Sequence, residues 1–148
     1  MQNSPLQLEK SFFTAVSIRA NRDGSPDAKW NVQTIPEVLK QGDEKRKWAV
    51  SLRVILKSID DLKPCYNAEV EIAGTFSVAP TWPEANIEQL VHINGCPVLY
   101  SAAREMISNL TSRGPWPMLV LPTVSFADYA PKPPTAPTQT KAPPQAKK

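Results

Sequence analysis

Residues Gly95–Phe126 read GCPVLYSAAREMISNLTSRGPWPMLVLPTVSF, and the order of residue types in that run decides how the rest of the chain is read. Pro97 suits the first helical position, where its missing N–H would be unpaired anyway. Gly114 supplies a stop, with Arg113 near the negative end of the helix. Between them Val98, Leu99, Ala102, Met106, Ile107 and Leu110 recur at i, i+3, i+4 spacings, which predicts one apolar stripe on a long helix. Ala102 and Ala103 are small enough to let a second helix approach closely. A strand is expected next, over about Trp116 to Phe126, with Met118, Val120 and Val124 on one face and Leu119 and Leu121 on the other. Pro117 and Pro122 confine that strand to a sheet edge or make it bend.

Working upstream, a short helix is expected from about Pro83 to Ile93, with Glu84 in its first turn. Tyr66 to Val78 alternates as a strand, with Tyr66, Ala68, Val70 and Ile72 against Asn67, Glu69 and Glu71. Gly74 breaks the apolar series, so a bulge there is expected to keep Phe76 and Val78 inward. Trp48 to Ile59 alternates more cleanly, with Trp48, Val50, Leu52, Val54 and Leu56 sharing a face. Leu6 to Ala20 reads as a long, imperfectly alternating strand. Asn21 to Ala28 is turn-rich, and a polar connection is expected from there to about Arg46. Strands followed by helices predict an α+β layer, an antiparallel sheet with its helices on one side.

Two segments differ in composition. From Pro131 to Lys148 there is no bulky apolar residue, and six prolines fall between Pro131 and Pro144. Such a stretch cannot bury enough surface to offset the entropy of ordering it, so residues 131–148 are expected to be a solvated Pro/Lys-rich tail on a domain of residues 1–130. The tail also carries the charge. Removing its four lysines leaves 13 basic against 14 acidic residues in the body. That balance is unlike the dense cationic face of a dedicated nucleic-acid binder. No run of apolar residues is long enough to cross a bilayer, and no apolar core follows a basic start at Met1 to Lys10, so a cytoplasmic protein is expected. Cys65 and Cys96 are expected to be buried free thiols.

Catalytic constellations are hard to build here. His92 is the one histidine, neither cysteine belongs to a CxxC pair, and none of the five glycines falls in a phosphate-loop spacing. Asp60 and Asp61 sit together in a turn, where solvation explains them. Neither an enzyme nor a bound metal or other cofactor is expected.

The run from Cys96 to Phe126 resembles the signature stretch of the SecB family. Cys96-Pro97, Tyr100, Ala103-Arg104-Glu105, Ile107-Ser108, Ser112-Arg113-Gly114, Pro117, Leu119, Leu121, Pro122 and Phe126 fall at the family's spacings. Pro36-Glu37-Val38, Leu52-Arg53-Val54, Glu69-Val70 and Gly74-Thr75-Phe76-Ser77 are similar to upstream family segments. The resemblance covers about residues 6 to 129. It implies a four-stranded antiparallel sheet backed by helices, and a homotetramer built as a dimer of dimers. It also implies a holdase that keeps unfolded precursor proteins competent for export without a cofactor and hands them to SecA. On that reading Tyr66, Phe76, Val78, Trp82, Leu90 and Trp116 are candidate linings of an apolar client groove. Leu99, Ala102, Ala103 and Met106 are candidates for the tetramer interface. Glu69 and Glu71 are the candidate SecA contact, because Ala15 and Arg19 stand on the first strand where well-studied members place acids. The family's final amphipathic helix is not matched, and the Pro/Lys-rich tail differs from the family's SecA-binding one. Two other readings follow from those departures: a dedicated chaperone for the antitoxin of a toxin–antitoxin pair, and a SecB-shaped adaptor for one folded partner.

Overall fold

The computed structural model describes residues 1–129, so the expected tail lies outside the described residues. Four long strands come first: β1 (Leu6–Ala20), β2 (Trp30–Lys40), β3 (Lys47–Ser58) and β4 (Tyr66–Val78). They form one antiparallel sheet in the order β1-β4-β3-β2, so β1 and β2 are the edges.

The alternation in β4 explains its central place. Every even residue from Tyr66 to Val78 is buried, while the odd ones are at most partly covered. Val50, Leu52 and Val54 of β3 bury on the same side. Gly74 keeps this parity, contrary to the bulge expected there. It lies in register between Ser11 and Val50, and its bare Cα makes room for α2, since a Cβ would sit 2.9 Å from Leu99 Cδ2. The irregularities fall instead in edge strand β1, between Leu8 and Lys10 and between Phe13 and Ala15. They explain why the apolar pattern of β1 looked imperfect in the sequence: each inserted residue flips the face of those that follow.

The polar connection expected up to Arg46 contains β2. Its helix-side residues Trp30, Val32, Thr34, Pro36 and Val38 are buried or half-buried, while Ile35 and Leu39 point outward and are exposed. Two misplaced apolar residues and a proline hid the period of two. Pro36 has no N–H to give a neighbouring strand, a deficit that an edge position tolerates.

After β4 the chain runs through one helical stretch. A 3₁₀ turn (Glu84–Asn86), α1 (Ile87–Leu90) and a π-turn (Val91–Gly95) lead straight into α2 (Cys96–Thr111). Pro97 stands in the first turn of α2, as expected, although the helical stretch already runs into it without a break. It follows the wide π-turn, which accommodates the carbonyl that its ring would otherwise strike. The helix seats Cys96, Leu99, Tyr100, Ala103, Ile107 and Thr111 in the core. Of the stripe read from the sequence, only Leu99 and Ile107 bury fully. Ala102 and Met106 are half-buried, and Val98 and Leu110 are exposed along one flank.

The strand expected over Trp116 to Phe126 is absent: this stretch is extended but joins no ladder. Its backbone is held by α2 instead. The Ser108 hydroxyl donates to the Leu119 carbonyl at 2.8 Å, the Leu119 N–H donates to the Thr111 hydroxyl at 3.0 Å, and Tyr100 donates to the Pro122 carbonyl. Leu121 and Phe126 fill the core beside Tyr100, the two rings meeting edge-on at 6.0 Å.

Candidate functional site

A groove of about 230 Å³ opens where β2 and β3 run past the cover of α2. One wall is the stretch Pro117–Val120, and the other is formed by Ser25, Pro26 and Ala28 with Trp30. Leu56, Tyr66 and Cys65 lie between them. No Asp, Glu, Lys, Arg or His lines it. The space admits one large side chain, since about 150 Å³ already holds a benzene. Met118 and Val120 are 51% and 61% exposed beside it.

Tyr66 is the hub that positions this wall. Its ring is buried in β4, and its hydroxyl accepts the Trp116 N–H at 3.1 Å while standing 3.2 Å from the carbonyls of Thr111 and Trp116. The Trp116 indole N–H donates to the Asn21 carbonyl at 2.9 Å, which anchors the other end. The groove is thus built from β2, β3, β4, the β1–β2 turn and the segment after α2.

The candidate groove residues fall into two sets. Phe76, Val78 and Leu90 are core residues with almost no free surface, and Tyr66 meets the groove from a buried position. Trp82 and Trp116 are half-buried. Trp82 borders a separate shallow depression with Asn86, Gln89, Leu90, Ile93 and Asn94. Trp30, Leu56, Met118 and Val120 were not singled out from the sequence. Trp30 lay in the assumed connection, and the outward turn of Met118 and Val120 depends on α2 holding Leu119.

Of the candidate interface residues, Leu99 and Ala103 are sealed inside the subunit. Ala102 and Met106 belong to the partly open flank, which continues onto β1 through exposed Leu8 and Val16 and half-buried Phe13 and Ile18. Glu69 and Glu71 stand on the opposite face of the sheet. Glu69 is paired with the Arg53 guanidinium, and the cross-strand neighbours on β1 are Ser17 and Ala15, which carry no charge.

Among the described residues no three His, Cys, Asp or Glu side chains cluster as a metal site. Burial pushes the Cys96 thiol up to about 11, so it stays protonated at neutral pH. No helix among those residues is long and apolar enough to cross a membrane.

His92 lies on the π-turn. Its Nδ1 is buried with no hydrogen-bond partner, and burial lowers its pKa while Glu88 opposes the shift. A histidine whose folded pKa is depressed contributes stability above the unfolded value, about 6.5, that is lost as pH falls through the folded value. The urea midpoint of the protein should therefore drop between pH 7.5 and pH 5, and drop less in His92→Gln. Equal drops in both proteins would show that His92 is not the titrating group.

The family described as "Preprotein translocase subunit SecB" matches residues 7–131. The chain is 29% identical over 126 residues to the protein-export protein SecB of Psychrobacter arcticus, covering 82% of each sequence. It is equally similar to that of Psychrobacter cryohalolentis, covering 82% of this chain and 81% of the relative. A SecB-like chaperone of Mycobacterium tuberculosis, solved in complex with a peptide from an antitoxin, shares the fold with a TM-score of 0.66 at 19% identity. It covers 82% of this chain and 91% of that one.

Proposed function

The chain belongs to the SecB family, and on that premise we propose that it is a holdase that keeps unfolded or precursor proteins competent for export. The observation that carries this is the uncharged groove between Trp30 and Met118–Val120. Capture of many unrelated sequences needs apolar, adaptable surface, and methionine and aromatic side chains supply it. The work is assigned to residues 1–130 in the cytoplasm, without a cofactor or covalent chemistry. A homotetramer would use the flank of Ala102, Met106, Val98 and Leu110 with the face of β1, which is too apolar to leave open in a stable monomer.

The test is aggregation of a chemically denatured client on dilution. Equimolar protein should suppress it, and the Met118→Asp, Val120→Asp double variant should bind the same client at least ~10-fold more weakly, since about 1.5 kcal/mol or more is lost per apolar side chain no longer buried. Both residues are exposed, so the fold should survive. Undiminished capture by the double variant would move client binding away from this groove.

A second reading is favoured by the outer face, where Glu69 is neutralised by Arg53 and the β1 residues beside Glu69 and Glu71 are the uncharged Ser17 and Ala15. A surface so altered suits a chaperone dedicated to an antitoxin better than one that docks on SecA. Binding to SecA at low salt, where surface charge acts most strongly, would support the export role. Capture of one antitoxin with indifference to general clients would support the dedicated one, and tight binding to a folded partner alone would make the protein an adaptor.

A further inference from the structure

We propose that residues 131–137 of this chain dock on its own surface, against Trp82 and Ile93 in the depression beside the π-turn. The depression holds about 270 Å³, and no charged side chain lines it. Half-buried Trp82 and Ile93, 38% exposed, supply its apolar surface, while Asn86, Gln89 and Asn94 supply side-chain amides. None of those side-chain amides has a hydrogen bond to a described residue. The site lies beside the end of the described chain. The last turn, Ala127–Tyr129, lies against the π-turn Val91–Gly95, which contributes Ile93 and Asn94 to the depression. Residues 130–137 can span roughly 25 Å at about 3.1 Å per residue. That is about twice the width of a helix, so the segment can reach the site with no change in the fold.

The sequence of the segment, PKPPTAP, matches this surface. A polyproline II helix makes one turn in three residues, so it would place Pro131, Pro134 and Pro137 on one face. Recognition of such a face takes an aromatic side chain to pack on the rings and donors for the backbone carbonyls, which that helix leaves free. Trp82 and the three amides provide both. The fixed φ of proline also reduces the entropy lost on docking, so a segment too polar to build a core can still be held. Charge agrees with the fit. Lys132 and Lys141 bring positive charge, and Glu88 stands exposed on the same helical stretch without an ion pair among the described residues. The groove between Trp30 and Met118–Val120 has no charged side chain to receive those lysines. Docking of the segment is independent of client capture, so either can fail alone.

The experiment is amide nitrogen relaxation on the full chain, read at Lys132, Thr135 and Ala136. Their order parameters should exceed about 0.6, below which a backbone counts as flexible. Pro131→Ser, Pro134→Ser and Pro137→Ser together should bring them under that value. Pro133→Ser, off the docking face, should leave them high. Ile93→Ser changes an exposed side chain and should release the segment as the triple variant does. The Trp82 indole N–H signal should shift between the unaltered chain and the triple variant, while those of Trp30 and Trp116 stay in place. Low order parameters in the unaltered chain, equal effects of the triple and Pro133 variants, or no release in Ile93→Ser would overturn the proposal. So would shifts at Trp30 and Trp116 in place of Trp82. Order that is lost on dilution would also overturn it, because the segment held at Trp82 would then belong to a second copy.

Discussion

Gly114→Ala should lower the stability of the fold by about 3 kcal/mol, the sum of overpacking and of hydrogen bonds lost at a buried hydroxyl. The cause is steric. A Cβ on residue 114 would lie 2.1 Å from the Tyr66 hydroxyl oxygen and 2.9 Å from its ring. Gly114 does not need a glycine for its backbone conformation, because among the described residues positive φ occurs only at Gly42. The hydroxyl cannot retreat without releasing the Trp116 N–H and the carbonyl of Thr111. Urea unfolding at one fixed protein concentration measures the effect, and a double-mutant cycle tests its origin. In a Tyr66→Phe background the same substitution should cost less by about 1 kcal/mol or more, because the closest obstacle is gone. Equal costs in both backgrounds would remove Tyr66 from the explanation. The groove should suffer as well, since Tyr66 carries the wall that begins at Trp116.

Phe76→Ala should cost about 3–5 kcal/mol and leave client affinity per folded molecule unchanged. Phe76 is 1% exposed, and its ring converges with Leu99 and Leu8 over Gly74 and approaches Gly95. A cavity there opens between β4 and α2, where the surrounding chain has little freedom to collapse. The SecB resemblance made Phe76 a candidate for the client groove, and the structure places it in the core. The two roles give different results. Loss of client binding without loss of stability would return Phe76 to the groove, whereas the Met118 and Val120 variants should show the opposite pattern, weak capture in a stable protein.

Much of this molecule could be read along the chain. The strict parity of Tyr66–Val78 and the alternation of Trp48 to Leu56 mark the two central strands, because a strand covered on one face must repeat its apolar residues every second position. The spacings from Cys96 to Phe126 marked the family. The edges were harder to read. β1 changes face twice at its bulges, and β2 combines an outward Ile35 and Leu39 with Pro36, so neither keeps one period along its length. The segment after α2 looked like a strand because its residues alternate, yet alternation records only which side chains are buried. Its backbone partners are the hydroxyls of Ser108 and Thr111 on the preceding helix, not a neighbouring strand.

The proposed client groove depends on the same distinction. Periodicity marks the central strands and an α+β layer, and the spacings from Cys96 to Phe126 carry the resemblance to the SecB family, which in turn implies the four-stranded sheet. Local patterns carry that much because strand and helix periods are properties of neighbouring residues. Which of those residues remain open to a client is set by contacts between residues far apart in the chain. Phe76 is closed off by Leu99 and Gly95, Tyr66 is drawn under Trp116, and Trp30 faces Met118 and Val120 across a gap that exists only once α2 holds Leu119.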